Sequence, residues 1–345
     1  MNNTETPYAT ILIAGLLLTA LSCNITGGKE DEKCNPNTQD CEITDPVNPE
    51  PGWFGATAWH PDEEWIAAEH GVVFDTNDDG APDSVARSGI WLVNATTGEV
   101  QDEPLLEWGH FPDWSPDGTQ LVVHEGGHIY TLTVLSLDPP RIDTASIRQL
   151  TTEGRNFYPD WSPDGEWIAY DRSIEDETGP GGVWRMKQDG EEKEYIFGGA
   201  FPHWHPSGEQ VIGAIGTSST SVWKRFKIYT ILDGSTKILD ATVDADNRYP
   251  KYSVDGTQIA FVSAPPPPAP AVVSIWVMGA DGNDPQKISP DWSGVFSWRP
   301  DGKQIVFLKY NPNEPDEGNG QLWLMDPDGT NVRQLTRFNP ESLKK

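Results

Sequence analysis

The chain has 345 residues, with 24 Lys and Arg against 53 Asp and Glu, so its net charge at pH 7 is −29. This length allows one large domain or two ordinary ones, with a sizeable core. The excess of carboxylates repels phosphate backbones and anionic membrane surfaces, which excludes nucleic acid and favours cations or proteins with a basic surface as partners.

Residues 1–22 are predicted to be an export signal. The run from Ala9 to Leu21 is uncharged and mostly apolar, but it is too short for a comfortable membrane span. The ending TALSC resembles a bacterial lipobox, which implies that Cys23 is lipidated and becomes the first residue of the mature protein. An ordinary cleaved signal peptide is the alternative. We expect an exported envelope protein that is anchored to the outer membrane by its N-terminal lipid.

Residues 23–52 are rich in Gly, Asn, Pro and acidic residues, a composition typical of a flexible tether. Export permits a disulfide bond, and Cys34 and Cys41 are the cysteines that remain once Cys23 is assigned, so we expect them to pair. Three cysteines cannot form a zinc site on their own.

The segment 53–345 contains a repeat. Each copy has a short aromatic-ended strand, a tight turn that is Pro-Asp-Gly in several copies, an apolar strand, a third strand such as GIWLV at 89, and a short fourth strand such as RQLT at 148. The central aromatic residues of the copies are Trp59, Trp114, Trp161, Trp204, Tyr252 and Trp298. Units of four antiparallel strands at this spacing predict an all-β, six-bladed β-propeller. We expect the central aromatic residues to pack between neighbouring blades.

The repeat also indicates a family. It resembles the TolB-type, WD40-like (PD40) propeller repeat of bacterial envelopes in three consecutive features: the sequence WSPDG, an apolar strand, and then IWVMGADGNDPQKIS or LWLMDPDGTNVRQLT. The resemblance covers residues 53–345 and implies the propeller fold. We expect a monomeric, non-catalytic binding or scaffold module of the cell envelope, attached to a membrane only through its lipid. Some propellers of this repeat type are oligogalacturonate lyases that hold a metal with channel histidines and amides. A lyase that uses His110 and His203 is therefore the alternative, and glycan binding without chemistry is a third hypothesis.

Residues His124, Glu125 and His128 spell the H-E-x-x-H motif of zinc proteases. The motif needs a helix, on which both histidines share one face. Gly126 and Gly127 are poor helix formers and lie between the apolar runs LVV and IYTL. We interpret HEGGH as the hairpin turn between the second and third strands of the second blade, and we expect no zinc-protease site.

The stretch DTNDDGAPD resembles the short calcium loops of extracellular modules. Its oxygen-bearing side chains alternate along the chain, and Gly80 stands where such a loop bends sharply. The predicted calcium ligands are Asp75, Asn77, Asp79 and Asp83. A solvated hairpin tip rich in Asp and Asn is the alternative, since Ala86 stands where a full loop has glutamate.

A propeller has two faces. On one side, which we call the loop face, lie the loops that join second to third strands and the loops that enter the next blade. The tight turns lie on the other side, which we call the turn face. Inserted residues are concentrated on the loop face, which is therefore the predicted binding surface. The loops that enter the blades are expected to place seven residues around the channel on this face, namely Trp108, His110, Arg155, Asn156, Asn247, Arg248 and Trp292.

Overall fold

The computed structural model describes residues 48–75, 84–173, 179–217, 222–240, 245–265, 272–310 and 320–337. Within these ranges the regular elements are strands, and they form six antiparallel sheets. In each sheet the strands follow one another in chain order, from the central channel to the rim. The six-bladed, all-β propeller predicted from the repeat is confirmed.

Blades one to three contain eleven strands. They are β1 (Asn48–Trp59), β2 (Trp65–Asp75) and β3 (Ser84–Asn94) in blade one; β4 (His110–Trp114), β5 (Gln120–Glu125), β6 (His128–Leu137) and β7 (Pro140–Gln149) in blade two; and β8 (Arg155–Trp161), β9 (Trp167–Ser173), β10 (Gly182–Lys187) and β11 (Glu194–Phe197) in blade three.

Blades four to six contain twelve strands. They are β12 (Ala200–Trp204), β13 (Gln210–Thr217), β14 (Val222–Thr230) and β15 (Thr236–Asp240) in blade four; β16 (Asp246–Tyr252), β17 (Gln258–Ala264), β18 (Ser274–Gly279) and β19 (Gln286–Lys287) in blade five; and β20 (Ser293–Trp298), β21 (Ile305–Lys309), β22 (Gln321–Met325) and β23 (Arg333–Gln334) in blade six.

Blade one departs from the prediction of four strands in every blade, because its sheet has three. The segment that follows β3 meets it only through two isolated bridges, Val93 to Val100 and Ile90 to Leu106. Pro104 lies between these bridges and has no amide hydrogen to donate to a ladder. The segment therefore covers the edge of β3 without forming a regular strand.

The first strand of each blade contains a bulge beside the channel. In blades two to five the bulged residue is aromatic and has a left-handed backbone, with φ of 48° at Phe111, 53° at Tyr158, 56° at Phe201 and 53° at Tyr249. Proline follows each of them. The four rings line the channel and contact one another, with centroid separations of 4.5, 4.8 and 4.4 Å between successive blades. We call these four residues the aromatic floor.

The central aromatic residues pack between blades, as predicted. Trp114 is 5% exposed and packs against residues of blades one and two, and Trp204 is 3% exposed and packs against residues of blades three and four. The next residue supports the turns: Nε2 of His60 lies 3.1 Å from the carbonyl oxygen of Gly118 in blade two. Gly118 has φ +70°, and a Cβ atom there would lie 2.4 Å from that Nε2.

The ring closes between blades six and one by side-by-side packing. Strand β23 pairs with β22, so the second copy of RQLT, which starts at residue 333, supplies the fourth strand of blade six. Apolar residues of both blades form one buried cluster, which includes Phe54, Trp59, Leu322 and Leu335. The hydroxyl groups of Thr57 and Ser297 are 3.0 Å apart, and Nη2 of Arg299 lies 3.0 Å from Oε2 of Glu63. We call this contact the seam.

Strand β1 starts on the loop face. Its register pairs Asn48 with Asp75, the last residue of β2, where that strand reaches the loop face. From there β1 runs along the channel to Trp59 on the turn face.

Candidate functional site

The loop-face end of the channel brings together polar side chains from several blades. His110 and Arg248 come directly before floor residues of blades two and five, which stand opposite each other in the ring. Glu69 of β2 contacts His110 from blade one, and Asp171 of β9 interacts electrostatically with Tyr158 and Tyr249 from blade three. We call these four residues, above the aromatic floor, the mouth.

His110 is held between two carboxylates. Its Nδ1 lies 2.7 Å from Oε1 of Glu69, and its Nε2 lies 3.7 Å from Oε2 of Glu125. Burial lowers the pKa of His110, but the hydrogen bond and the charge of Glu69, together with Glu125, raise it further, so the net shift is upward. The Glu69 side chain is 5% exposed. It fits because Gly55 has no Cβ, which would lie 2.9 Å from Oε2 of Glu69.

Arg248 is held by one carboxylate oxygen. Its Nε and Nη2 donate to Oδ2 of Asp246 at 2.9 and 2.7 Å. The other oxygen of Asp246 accepts the backbone N–H of Trp223 at 2.9 Å. The Arg248 side chain is 14% exposed, and its Nη1 makes no hydrogen bond within the described part of the chain. The guanidinium therefore keeps donors that can face a ligand.

The floor adds tyrosine hydroxyls below Arg248. The Tyr249 hydroxyl is buried and shares a side-chain hydrogen bond with Tyr158. Burial raises the pKa of Tyr158 well above its usual value, and Tyr158 interacts electrostatically with Tyr249, Asp171 and Arg248. Blades three and five thus interact across the channel. Burial also raises the pKa of Asp171 to about 8, although its Oδ2 accepts the backbone N–H of Phe201 at 3.1 Å. Burial therefore favours the protonated, uncharged form of Asp171.

Two of the seven predicted loop-face residues are buried amides. Asn156 is 1% exposed, and its Nδ2 donates to the carbonyl oxygens of Gly127 and Glu153 at 3.3 and 2.9 Å. Asn247 is 0% exposed, and its Nδ2 donates to the carbonyl oxygen of Lys224 at 3.2 Å. Both side chains join strands to neighbouring segments.

The remaining predicted residues are Trp108, Arg155 and Trp292. Trp108 packs edge-on against Tyr130, with ring centroids 5.2 Å apart. Arg155 is exposed, with its guanidinium 5.7 Å from the Phe157 ring centroid. Trp292 is partly buried and has φ 62°. The structure thus brings His110 and Arg248 of the predicted set to the mouth.

The HEGGH segment is a hairpin, as predicted. Strand β5 ends at Glu125 and β6 begins at His128, and these two residues pair across the turn. Gly126 and Gly127 form the turn with φ of 57° and 82°. His124 is buried; its Nδ1 accepts the backbone N–H of Tyr158 at 3.4 Å. Burial, with the nearby charge of His110, lowers the pKa of His124 to about 3, so the ring is neutral.

A second polar cluster lies below the floor and was missed by the sequence analysis. In blades two to four, the side chain of the residue before the central aromatic accepts a hydrogen bond from the next blade, where the backbone N–H of the central aromatic residue donates it. The pairs are Asp113 Oδ2 with Trp161 N–H at 2.7 Å, Asp160 Oδ2 with Trp204 N–H at 2.8 Å, and His203 Nδ1 with Tyr252 N–H at 3.3 Å. The repeated position was the signal that could have revealed it.

The two carboxyls of this cluster interact. Burial, with the charge of Asp160, raises the pKa of Asp113 to about 8, and burial raises the pKa of Asp160 to about 7. Lys251 opposes both shifts. His203 lies here as well, with Nε2 3.8 Å from Oδ1 of Asp160. The two histidines of the lyase hypothesis therefore belong to different groups, His110 at the mouth and His203 below the floor.

Several predicted sites lie outside the described residues. These are the lipidation site Cys23, the disulfide partners Cys34 and Cys41, and the calcium ligands Asn77, Asp79 and Asp83; the remaining ligand, Asp75, ends β2. Among the residues that are described, no three His, Cys, Asp or Glu side chains are grouped so that they could hold a metal ion. The same residues contain no helix long and apolar enough to cross a membrane.

Comparison with known proteins bears on the fold. No family model matches the chain. An uncharacterized protein from Agrobacterium fabrum is 29% identical over 267 residues, which is 74% of this chain and 85% of that protein. The structure of a candidate TolB from Agrobacterium tumefaciens superposes with a TM-score of 0.53 at 24% identity, covering 66% of this chain and 80% of that one. The fold is that of a TolB-like six-bladed propeller.

Two further structures have the same general architecture. TolB from Acinetobacter baumannii gives a TM-score of 0.53 at 17% identity and covers 83% of this chain, which spans 63% of that protein. An oligogalacturonate lyase in complex with manganese gives a TM-score of 0.52 at 12% identity, with 84% and 78% covered. At these identities the likeness concerns the fold alone.

Proposed function

We propose that the chain is a non-catalytic binding module of the bacterial envelope that recognises a protein partner through its loop face. The observation that carries this proposal is a difference between the two faces. On the turn face, Asp117, Asp164 and Asp255 accept hydrogen bonds from hydroxyl and amide groups of their own turns. On the loop face, polar side chains from different blades converge on the mouth.

The fold is shared with two TolB structures, and a binding role without catalysis is what we infer for a propeller of this type. The net charge of −29 favours a partner with a basic surface, because complementary charge speeds association and disfavours acidic competitors. We propose a monomer that is exported through residues 1–22, lipidated at Cys23, and held at the outer membrane by the tether 23–52. Pairing of Cys34 with Cys41 and calcium bound at residues 75–83 belong to the same proposal.

Photo-crosslinking in intact envelopes tests the choice of face. Thr152 and Pro163 are both exposed and flank β8 of blade three, Thr152 on the loop face and Pro163 on the turn face. A photoreactive residue at position 152 of the full-length chain is expected to capture one discrete protein, whereas the same residue at 163 is not. Identical products from both positions, or none from either, would contradict the proposal.

A chelator arm of the same experiment tests the calcium loop. If calcium orders the 75–83 segment for recognition, crosslinking from position 152 is expected to fall in chelator and to recover when calcium is restored. The variant Asp79→Asn should reproduce the effect of chelator. Crosslinking that chelator leaves unchanged would show that recognition of the partner does not depend on calcium.

The second candidate function is a metal-dependent lyase. It is favoured by the likeness to the manganese-bound lyase and by the histidine at the mouth. The described residues do not supply a metal-ligand group, so we expect no unsaturated product from uronate oligomers with added Mn²⁺. Product formation that His110→Ala and His203→Ala abolish, and that His205→Ala leaves intact, would overturn this ranking. His205 is the matched control because its Nδ1 bonds within its own turn.

A further inference from the structure

The position before the central aromatic residue is occupied by a lysine in blade five. In blades two to four the side chain at this position accepts a hydrogen bond from the next blade, and in blade six the hydroxyl of Ser297 shares one with Thr57 of blade one. Lys251 cannot accept such a bond, because an ammonium group has no acceptor atom. Its ammonium forms no hydrogen bond or ion pair with the described residues. Lys251 therefore does not make the contact between blades that this position makes elsewhere.

Lys251 lines a small cavity below the aromatic floor, which we call the chamber. The chamber has a volume of about 50 Å³, and the four floor rings, Asp113 and Asp160 line it together with Lys251. The four residues of the mouth do not line it. The floor rings also meet across the channel, with 5.7 Å between the centroids of Tyr158 and Tyr249. The chamber is therefore separate from the mouth and lies on the turn-face side of the floor.

The groups around Lys251 favour an anion in the chamber. Lys251 interacts electrostatically with Asp113 and Asp160, but Oδ2 of each carboxyl already accepts a backbone N–H of the next blade. Burial raises the pKa of Asp113 to about 8 and that of Asp160 to about 7, which favours their uncharged forms in mildly acidic solution. His203, beside Asp160, is neutral because burial lowers its pKa to about 3. The ammonium of Lys251 is then the main charge of this group.

The size of the chamber limits which anion can enter. A water-sized group needs about 10–15 Å³ of such space, so a chamber of about 50 Å³ holds roughly three to five non-hydrogen atoms. Formate and acetate are within this range. Phosphate is at its upper limit and carries more than one charge near neutral pH, which the net charge of −29 opposes. A small monocarboxylate therefore matches both the size and the charge of the chamber.

We propose that the chamber binds a small monocarboxylate of the size of formate or acetate, with the ammonium of Lys251 as its counter-charge. A protonated carboxyl of Asp113 or Asp160 donates a second hydrogen bond, through the oxygen that the next blade does not use. This inference goes beyond the proposed function and does not rest on it, because the floor lies between the chamber and the mouth.

Ligand-observed NMR at pH 6 tests the proposal on the full-length chain. The probe is acetate, and its neutral match is acetamide, which has nearly the same shape. We expect acetate to bind at least about tenfold more tightly than acetamide, because a hydrogen bond to an ionised group is roughly twice as strong as a neutral one. Lys251→Met should remove this preference. Lys303→Met, at an exposed lysine on the turn face of blade six, should leave it unchanged. Absence of acetate binding, or a preference that survives in Lys251→Met, would overturn the proposal.

The pH dependence of acetate binding separates a binding role of the chamber from a structural one. As the pH rises from 6 to 9, Asp113 and Asp160 lose their protons, and their carboxylates then repel the ligand. We expect the affinity of the wild type for acetate to fall about tenfold or more over this range. Asp160→Asn still accepts the backbone N–H of Trp204 but cannot ionise, so its affinity should fall less. An affinity that is the same at pH 6 and pH 9 in the wild type would contradict the proposal.

The outcomes distinguish this inference from the proposed function. Equal binding of acetate and acetamide would overturn the monocarboxylate site, even if the crosslink from position 152 persists. Selective acetate binding that Lys251→Met abolishes would support the site, even if no protein is captured from position 152. The melting temperature of Lys251→Met at pH 6 shows whether the variant folds, and the pH dependence in Asp160→Asn tests the chamber without changing the lysine.

Discussion

Gly98→Ala is expected to destabilise the protein by about 3 kcal/mol or more, because it adds an atom where the seam has no room. Gly98 ends the turn after β3 and has φ +74°, and a Cβ there would lie 1.8 Å from the carbonyl oxygen of Leu335 in blade six. Leu335 belongs to the buried cluster of the seam. Because the obstacle is backbone rather than a flexible side chain, blades one and six must move apart to relieve it.

Gly208→Ala is the matched control for this prediction. Gly208 has the same φ of +74°, but a Cβ atom there would meet nothing within 4 Å. Its substitution should cost only the strain of a left-handed alanine, about 1 kcal/mol. The measurement is the melting temperature and the urea midpoint of both variants. A loss in Gly98→Ala no larger than that in Gly208→Ala would show that the seam does not support the ring.

The second large effect is expected in the dependence of stability on pH. In the folded protein the pKa of Asp160 is about 7 and that of Asp113 about 8, above the 3.8 usual for aspartate. The folded state therefore holds protons that the unfolded chain has already released. The stabilisation that these two protonated carboxyls contribute to the folded state is present in full below about pH 4 and is lost as the pH rises to about 8. We expect wild-type stability to decrease between pH 5 and pH 8.

Asp160→Asn should flatten this decrease. The amide oxygen can still accept the backbone N–H of Trp204, while the buried charge is gone. It also removes the negative charge that contributes to the raised pKa of Asp113. We expect the variant to lose on the order of 2 kcal/mol less than wild type between pH 5 and pH 8. Urea denaturation at several pH values measures this difference.

Asp164→Asn is the control for the pH experiment. Asp164 lies in the turn that follows β8; burial raises its pKa, but hydrogen bonds from Ser162 and Glu166 outweigh that effect and lower it. Its contribution is therefore lost on the acid side, below the usual pKa of aspartate, and not between pH 5 and 8. An Asp160→Asn variant that keeps the wild-type decrease, or an Asp164→Asn variant that abolishes it, would refute the assignment of the pH dependence to Asp113 and Asp160.

Local patterns explain what the sequence could predict. The repeated turn and strand pattern predicts six blades because each unit folds through neighbouring residues, and Gly126 and Gly127 predict the hairpin for the same reason. The missing fourth strand of blade one coincides with Pro104, which is visible in the sequence and cannot donate a hydrogen bond to a ladder. His110 and Arg248 could be placed at the mouth because they occupy the same position in their copies.

The rest of the mouth depends on contacts between distant residues. Glu69 pairs with His110, which lies 41 positions away, and Asp171 meets the backbone of Phe201, 30 positions away. The raised pKa values of Asp113, Asp160 and Asp171 come from burial, which no local pattern reports. Asn156 and Asn247 were expected at the same edge on composition, but their burial is visible only in the folded ring.

The start of β1 sets the point at which the proposed tether leaves the propeller. Because Asn48 pairs with Asp75, the chain enters the ring on the loop face, next to the predicted calcium loop. A lipid on Cys23 would then lie within about 90 Å of Asn48, the extended reach of the intervening residues. The tether would therefore leave the propeller on the same face as the mouth, so a partner bound at the mouth would share that face with the start of the tether.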